Sequence, residues 1–212
     1  MELALADELF LIGHDEYSGK TKINNDVLSC GLAAAALGEL MLAGTLVVES
    51  GRVAAWSARQ NGDAVNDQVV AELQKVGTGH PVQNWIQHLR TDIKEVVAHR
   101  LGLRGIVRRE TSRSLTGRTQ VRYPAADPTE ATRSVVRLGF LLGRPSEALD
   151  LPAALLSSLS TAVGVAIVVP MLNNGQTRDR LEQVRLGLPQ ELRELVKGVE
   201  SAIATVALQA RG

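Results

Sequence analysis

The chain has 212 residues, of which 45% are hydrophobic and 3% aromatic, and its 23 basic and 23 acidic side chains give a formal net charge of zero. This length allows one sizeable aliphatic core, so we expect a single globular domain over residues 1–212. The single cysteine excludes an internal disulfide and fits a reducing cytoplasm. Arginine far outnumbers lysine and alanine is abundant, which suggests a bacterium with GC-rich coding.

The first apolar run, residues 3–12, contains acidic side chains where an export signal needs a basic start, so we expect no export. A second run over 25–43 is apolar on nearly every side, and such a helix belongs in a core. Asn24 and its two polar successors can cap this helix. A capped helix start at the surface attracts anions, because the helix dipole is positive there.

The rest of the chain is predicted to form two hairpins and a series of helices. The first hairpin turns at Ser50 and Gly51 between two β-branched strands. The second joins strands 105–109 and 119–123 through a polar, arginine-rich tip. Capping residues and prolines place helices over 62–77, 82–102 (one helix or two), 128–142, 152–169, 176–186 and 189–210, with Asp63, Asp127, Thr177 and Pro189 as start signals.

Residues 151–177 contain no charged side chain and are long enough to span a bilayer. Serine, threonine, glycine and proline residues offset much of their aliphatic character, and neither end carries a cluster of positive charge. We therefore expect a second buried core helix at 152–169. The sequence as a whole predicts a mainly α protein, in which buried central apolar helices are surrounded by amphipathic helices with two short β-hairpins.

Signatures of catalysis and of metal binding are missing from the sequence. The four histidines lack the spacing of metal ligands, and there is no second cysteine to join them. There is also no nucleophile elbow, phosphate-binding glycine loop or dinucleotide fingerprint. We therefore expect a binding protein without catalytic residues, metal or cofactor.

Residues 90–122 carry nine Lys or Arg side chains against three Asp or Glu. Such a block of basic side chains attracts an anionic surface, and two classes of protein bind their partners through a block of this kind. A membrane-surface module places its basic side chains against phospholipid headgroups. A winged helix, here residues 86–123, places a helix in the major groove of DNA and a hairpin on the phosphates. The neutral charge of the chain disfavours a nucleic-acid partner.

Two segments carry a more specific resemblance. They are LADELFLIGHDEYSGKTKINNDVLSCGLAAAALGELMLAGTLVV (residues 5–48) and HPVQNWI (residues 80–86). With these segments the chain resembles the Golgi phosphoprotein 3 family over nearly its whole length. The resemblance implies a mostly helical fold around a buried apolar helix, with a β-hairpin. It also implies that a flat basic face binds phosphatidylinositol 4-phosphate without catalysis.

The resemblance places the headgroup pocket beside the start of the apolar core helix. A tryptophan and an arginine that the family uses there read Asn24 and Ala33 in this chain, and two further arginines read Thr91 and Lys94. Arg90 stands one residue from the replaced arginine and can substitute for it. We therefore expect a lipid headgroup site at Asn24, Arg90 and Lys94, with weakened selectivity for the 4-phosphate.

The arginine-rich hairpin supplies a second expected contact. Arg109, Arg113 and Arg118 surround Leu115, the only large apolar residue at the tip. We expect these four residues to face either a membrane or a second copy of the chain. The expected partners are thus an anionic phospholipid surface and a homo-oligomer formed through residues 105–123. The expected location is cytoplasmic, with peripheral attachment at the inner face of the membrane.

Overall fold

The protein is described from a computed structural model, which covers residues 3–57, 62–113, 119–144, 148–173 and 175–209. The first two helices, α1 (Leu5–Gly13) and α2 (Asn25–Leu42), pack side by side in opposite directions. Ala6 near the start of α1 donates its N–H to Glu39 near the end of α2 (2.8 Å). At the other end, a Cβ atom on Gly13 would come within 2.7 Å of Leu28, so glycine permits the close approach.

Helix α2 is the centre of the core, as its apolar sequence predicts. Its residues from Leu28 to Gly38 are all buried. Length and composition alone would allow α2 to cross a membrane, yet 67% of that stretch is buried inside the molecule. The burial identifies α2 as a core helix, and its capped N-terminus lies at the surface, where Asn24 is exposed.

The second apolar segment also packs against α2, but it is not one helix. Helix α7 (Leu151–Ala162) runs antiparallel to α2, with Leu155 against Gly38 and Val163 against Gly31. The predicted helix over 152–169 is wrong beyond residue 162. Gly164 adopts a left-handed conformation (φ 78°) that ends α7. The chain continues as the short helix α8 (Val165–Val168) and a 3-10 turn at Pro170–Leu172.

Helices α3 to α5 and α10 complete the packing around α2. The structure forms α3 over Ala64–Val76, α4 over Val82–Leu89, α5 over Ile93–Leu103 and α10 over Gln190–Gln209. Residues 82–102 therefore form two helices, one of the two predicted alternatives. Gln87 on α4 donates to the carbonyl of Ala202 on α10 (2.7 Å), which fixes these two helices to each other. The buried apolar residues form one continuous core.

The two hairpins are present, but the second begins later than predicted. The first pairs β1 (Leu46–Glu49) with β2 (Arg52–Trp56), and the second pairs β3 (Glu110–Arg113) with β4 (Thr119–Arg122). The predicted strand 105–109 is wrong, since Val107 makes only an isolated bridge. Pro124 accepts a hydrogen bond from Arg108 but has no N–H to return, so the ladder stops there.

The remaining helices are α6 (Pro128–Leu142) and α9 (Gly175–Gly187). Asp63 and Asp127 cap α3 and α6, as the sequence indicates. The start signal at Thr177 is wrong, because α9 already begins two residues earlier. The Thr177 side chain is buried, and its hydroxyl donates to the carbonyl of Leu172 (3.1 Å).

Candidate functional site

The start of α2 is capped by its own preceding residue. The Oδ1 atom of Asn24 accepts the backbone N–H groups of Asp26 (2.9 Å) and Val27 (3.2 Å). This cap uses two of the amides that an uncapped helix would offer to an anion. The Nδ2 amide of Asn24 is its remaining donor for a ligand.

Two cations from neighbouring helices converge on this capped end. Arg90 directly follows α4, and its Nη1 donates to Asp26 (3.2 Å) while its Nε donates to Gln87 (2.8 Å). Lys94 lies in the first turn of α5, and its Nζ donates to the side chain of Asn25. The structure therefore brings Asn24, Arg90 and Lys94 together around the start of α2, as expected from the sequence. We call these three residues the headgroup site after the ligand expected from the sequence, and their binding of a headgroup stays a prediction.

An aromatic ring supports the lysine of the headgroup site. The Nζ atom of Lys94 lies 5.6 Å from the ring centre of Tyr123, a cation–π contact. The Tyr123 hydroxyl donates to Glu95 (2.5 Å), and burial together with this carboxylate raises the pKa of Tyr123. Burial lowers the pKa of Lys94, and Glu95 offsets part of that shift. The lysine is thus held in place rather than free in solvent.

Behind Tyr123 lies a buried histidine. His14 stacks on Phe10 with ring centres 3.9 Å apart, and its Nδ1 donates to the Phe10 carbonyl (2.7 Å). Burial lowers the pKa of His14 to about 4, so its ring is neutral near pH 7. His14 therefore contributes shape, not charge, to this end of the molecule.

The second hairpin is connected to the headgroup site through Glu95. The Nε atom of Arg109 lies 3.7 Å from the Glu95 carboxylate, and both side chains are largely exposed. Arg113 is exposed at the end of β3. Leu115 and Arg118, which were expected at the tip, lie outside the described residues. The hairpin contact therefore stays a prediction.

Arg100 lies inside the molecule and Arg104 is only partly exposed, which corrects the simple interpretation of residues 90–122 as one basic face. Arg100 is buried and donates to Asp7 (2.9 Å) and to Asp63 (2.6 Å). Arg104 donates to the other oxygen of Asp7 (2.9 Å). We call these four residues the ion cluster. Asp7 is fully buried, and an acid inside the apolar run of α1 was the sequence signal for a buried cationic partner.

The burial of Arg100 also bears on the winged-helix alternative. That fold needs basic side chains on the surface of the helix before the hairpin. Helix α5 is that helix, and of its two sequence candidates, Lys94 and Arg100, the second lies inside the molecule. The structure does not favour this alternative. In the described ranges, no group of three or more His, Cys, Asp or Glu side chains is placed to hold a metal ion.

The comparison with known families identifies the family of the chain. A family model described as Golgi phosphoprotein 3 (GPP34) matches residues 5–203, nearly the whole chain. No curated protein matches the chain significantly. The matched region contains α2, both hairpins and every residue of the headgroup site. The chain belongs to the Golgi phosphoprotein 3 (GPP34) family.

Proposed function

We propose that the protein is a non-catalytic, peripheral membrane-binding protein that recognises anionic phospholipid headgroups at the headgroup site. The observation that carries the proposal is the convergence of Arg90 and Lys94, from two different helices, on the exposed start of α2. Family membership supports it, because the resembling proteins bind phosphatidylinositol 4-phosphate beside the same helix start. The partner is an anionic membrane surface, and we do not propose a nucleic acid.

A bound phosphate has to compete with an acidic side chain for Arg90. Asp26 accepts from Arg90, but its side chain is 58% exposed, and such exposed pairs contribute little. A headgroup phosphate can therefore replace Asp26 as the acceptor for Arg90. The Nζ atom of Lys94 and the Nδ2 atom of Asn24 are the other donors that can reach it.

The site is expected to respond to total negative charge more than to the 4-phosphate. A pocket selective for one phosphate needs several fixed charge-assisted donors, each contributing about 1.5–3 kcal/mol. Two arginine positions of the family read Ala33 and Thr91 here, which forfeits roughly 3–6 kcal/mol on that scale. Arg90 recovers part of this loss. Phosphatidylinositol 4-phosphate is then one anionic ligand among several.

The second hairpin supplies the wider contact in this proposal. Arg109 and Arg113 extend the positive surface from the headgroup site along β3. Leu115 and Arg118 are predicted from the sequence to lie at the tip, where they would meet the membrane or a second copy of the chain. A homo-oligomer through residues 105–123 would double the number of basic side chains at the membrane. The proposed location is the cytoplasm, at the inner face of the membrane.

The competition between Asp26 and phosphate gives a specific test. Asp26→Asn removes the competing charge and should increase binding to phosphatidylglycerol vesicles about fivefold, since one charge near an anionic surface contributes about 1 kcal/mol. The matched control is Glu182→Gln, which removes the same charge from another arginine pair (2.8 Å) on α9. Vesicle cosedimentation measures both.

The control variant should bind like the wild type, and neutral phosphatidylcholine vesicles should pellet neither. Equal effects of the two substitutions would show that only net charge matters and that the start of α2 is not the site. Pelleting with neutral vesicles as well as with anionic ones, or with neither, would contradict the membrane proposal. Tighter binding to duplex DNA than to vesicles would favour the winged-helix alternative.

A further inference from the structure

The connection between α1 and α2 is a tight hairpin at the end of the molecule that carries the headgroup site. Because the two helices run in opposite directions, the end of α1 lies beside the start of α2. His14 and Thr21 form an antiparallel bridge, and the N–H of Asp15 donates to the carbonyl of Lys20 (2.8 Å). We call residues 13–22 the connecting hairpin.

The apex of the connecting hairpin is fixed by hydrogen bonds to Asp15. The Oδ1 atom of Asp15 accepts both the backbone N–H and the hydroxyl of Ser18 (2.7 Å each). The carbonyl of Asp15 accepts the N–H of Gly19 (2.8 Å). The residues at the apex are therefore presented on a backbone of defined conformation.

The connecting hairpin packs against the residue that supports Lys94 of the headgroup site. The Gly19 carbonyl accepts the N–H of Tyr123 (3.0 Å). A Cβ atom on Gly19 would come within 2.2 Å of the backbone of Pro124, so glycine permits this close packing. The ring of Tyr123 in turn lies under the Nζ atom of Lys94. The connecting hairpin and the headgroup site are thus neighbours, linked through Tyr123.

The apex of the connecting hairpin carries an aromatic side chain in solvent. Tyr17 is 74% exposed, the largest exposed fraction of any aromatic side chain that the structure describes, whereas Phe10, Trp85 and Tyr123 are buried. A tyrosine suits the boundary between lipid headgroups and acyl chains, because its ring is apolar and its hydroxyl hydrogen-bonds. The position and the chemistry of Tyr17 both fit a membrane surface that covers the headgroup site.

The connecting hairpin has no excess of positive charge with which to attract a membrane. The Nζ atom of Lys22 lies 3.6 Å from the carboxylate of Glu16. The charges of Asp15 and Lys20 also offset each other. A contribution of this hairpin to membrane binding would therefore come from the ring of Tyr17.

We propose that Tyr17 anchors the protein in the membrane interface, with its ring below the headgroups, while the headgroup site binds a lipid phosphate. This inference rests on the proposed function. The two contacts differ in their physical basis. Salt screens the attraction of Arg90 and Lys94 for the phosphate, but it does not screen the gain from removing an aromatic ring from water.

The first test measures cosedimentation with phosphatidylglycerol vesicles at low and at high sodium chloride. Tyr17→Ala should lower the partition about fivefold at both salt concentrations, since part of a large apolar surface is no longer buried. The loss caused by Arg90→Ala should instead shrink as salt is added. Phe140→Ala is the matched control, because Phe140 is 53% exposed but lies beside the last turn of α2, at the opposite end of the molecule.

The second test places a fluorescent indole at the same position. The emission of Tyr17→Trp should shift to shorter wavelength on phosphatidylglycerol vesicles, and phosphatidylglycerol with brominated acyl chains should quench it. Phe140→Trp should show neither change beyond the wild-type background of Trp56 and Trp85. Circular dichroism of each variant confirms that it is folded.

The outcomes separate the anchor from the proposed function. Wild-type binding by Tyr17→Ala, a loss that high salt abolishes, an equal loss in Phe140→Ala, or no quenching of Tyr17→Trp would each overturn the anchor. If Arg90→Ala still loses affinity in that case, the headgroup site stands without it. No binding of the wild type to anionic vesicles would overturn both the anchor and the proposed function.

Discussion

Two parts of the basic segment 90–122 have different environments in the folded protein. Arg90 and Lys94 are partly exposed around the start of α2, whereas Arg100 is buried against the carboxylate of Asp7. The helix explains the difference. Six residues separate Lys94 from Arg100, which is about 600°, so the two side chains leave α5 on different faces and about 9 Å apart along its axis. A charge count along the sequence cannot distinguish these faces.

The comparison also separates stability from binding. Asp7 and Arg100 of the ion cluster are buried, so removing either one leaves a charge without compensation inside the protein. The headgroup site lies at the surface, where Asp26, the partner of Arg90, is 58% exposed, so this pair adds little to stability and Arg90 can exchange partners. The two regions should therefore respond to substitution in opposite ways: the first through folding, the second through membrane affinity.

The largest effect is expected in the ion cluster. Arg100→Met should lower the free energy of unfolding by about 3–5 kcal/mol, because Asp7 and Asp63 lose a buried cation. Arg90→Met, the matched substitution at the headgroup site, should cost less than about 1 kcal/mol. Urea unfolding followed by circular dichroism measures both. Similar losses for the two variants would show that the two regions do not differ as described.

The next largest effects are two opposing dependences of the free energy of unfolding on pH. The folded pKa of His14 is about 4, below its ordinary 6.5, so this residue makes the protein less stable as the pH falls from 6.5 to 4. The folded pKa of Glu39 is about 7, above its ordinary 4.5, so this residue makes the protein less stable as the pH rises from 4.5 to 7. Each change amounts to up to about 3 kcal/mol. In the wild type the two largely cancel.

Single substitutions should reveal each dependence separately. With Glu39→Gln, the free energy of unfolding should fall toward low pH, since the histidine dependence remains. With His14→Asn, the free energy of unfolding should instead fall as the pH rises toward 7. Burial also raises the pKa of Asp7, which adds to this decrease. Urea titrations between pH 4 and pH 7 provide the measurement. Flat profiles in both variants would contradict the assigned ionisation states.

Smaller effects are expected at the headgroup site. Arg90→Ala and Lys94→Ala should each lower the partition onto anionic vesicles about fivefold, which corresponds to about 1 kcal/mol per basic side chain. Their free energies of unfolding should stay within about 1 kcal/mol of the wild type. Increasing salt should weaken the wild type more than either variant, since the wild type carries one more screened interaction. If either variant binds anionic vesicles as well as the wild type does, the substituted residue does not belong to the binding site.

The smallest effect concerns the cap of α2. Asn24→Asp keeps an oxygen that accepts the amides of Asp26 and Val27, so stability should change by no more than about 0.5 kcal/mol. The new charge repels anionic lipid, and vesicle binding should fall a few-fold. If Asn24 and Arg90 contact the same phosphate, the double variant Arg90→Ala/Asn24→Asp should lose less binding free energy than the sum of the losses of the two single variants. Full additivity would indicate separate contacts.

The sequence predicts this fold well where local chemistry decides it. The apolar character of α2, the caps at Asp63 and Asp127 and both hairpins could all be recognised from residue patterns. The break at Gly164 could not, because a single glycine in an apolar run fits a continuous helix as well as a left-handed end. The late start of β3 depends on which backbone groups face Pro124, which is a tertiary property.

The candidate site could be predicted only in part, because some of its features also depend on tertiary contacts. Arg90 and Lys94 were placed beside α2 by family resemblance, and the structure shows the two contacts that hold them there. The charge pattern alone gave no means of separating these cations from Arg100, whose burial depends on three carboxylates from other elements. The ion pair between Asp26 and Arg90, with which a phosphate has to compete, could not be predicted either, because these residues are far apart in the chain.

A comparison of two kinds of vesicle decides whether the headgroup site binds anionic lipid through its charge. Vesicles with equal surface charge, made with phosphatidylinositol 4-phosphate or with phosphatidylglycerol, are compared for the wild type and for the double variant Arg90→Ala/Lys94→Ala. We predict that the wild type binds both vesicles within about threefold of each other, and that the double variant loses about 30-fold on both, or about 2 kcal/mol. Undiminished binding by the double variant, or a tenfold preference for the phosphoinositide that Lys94→Ala abolishes, would contradict this account.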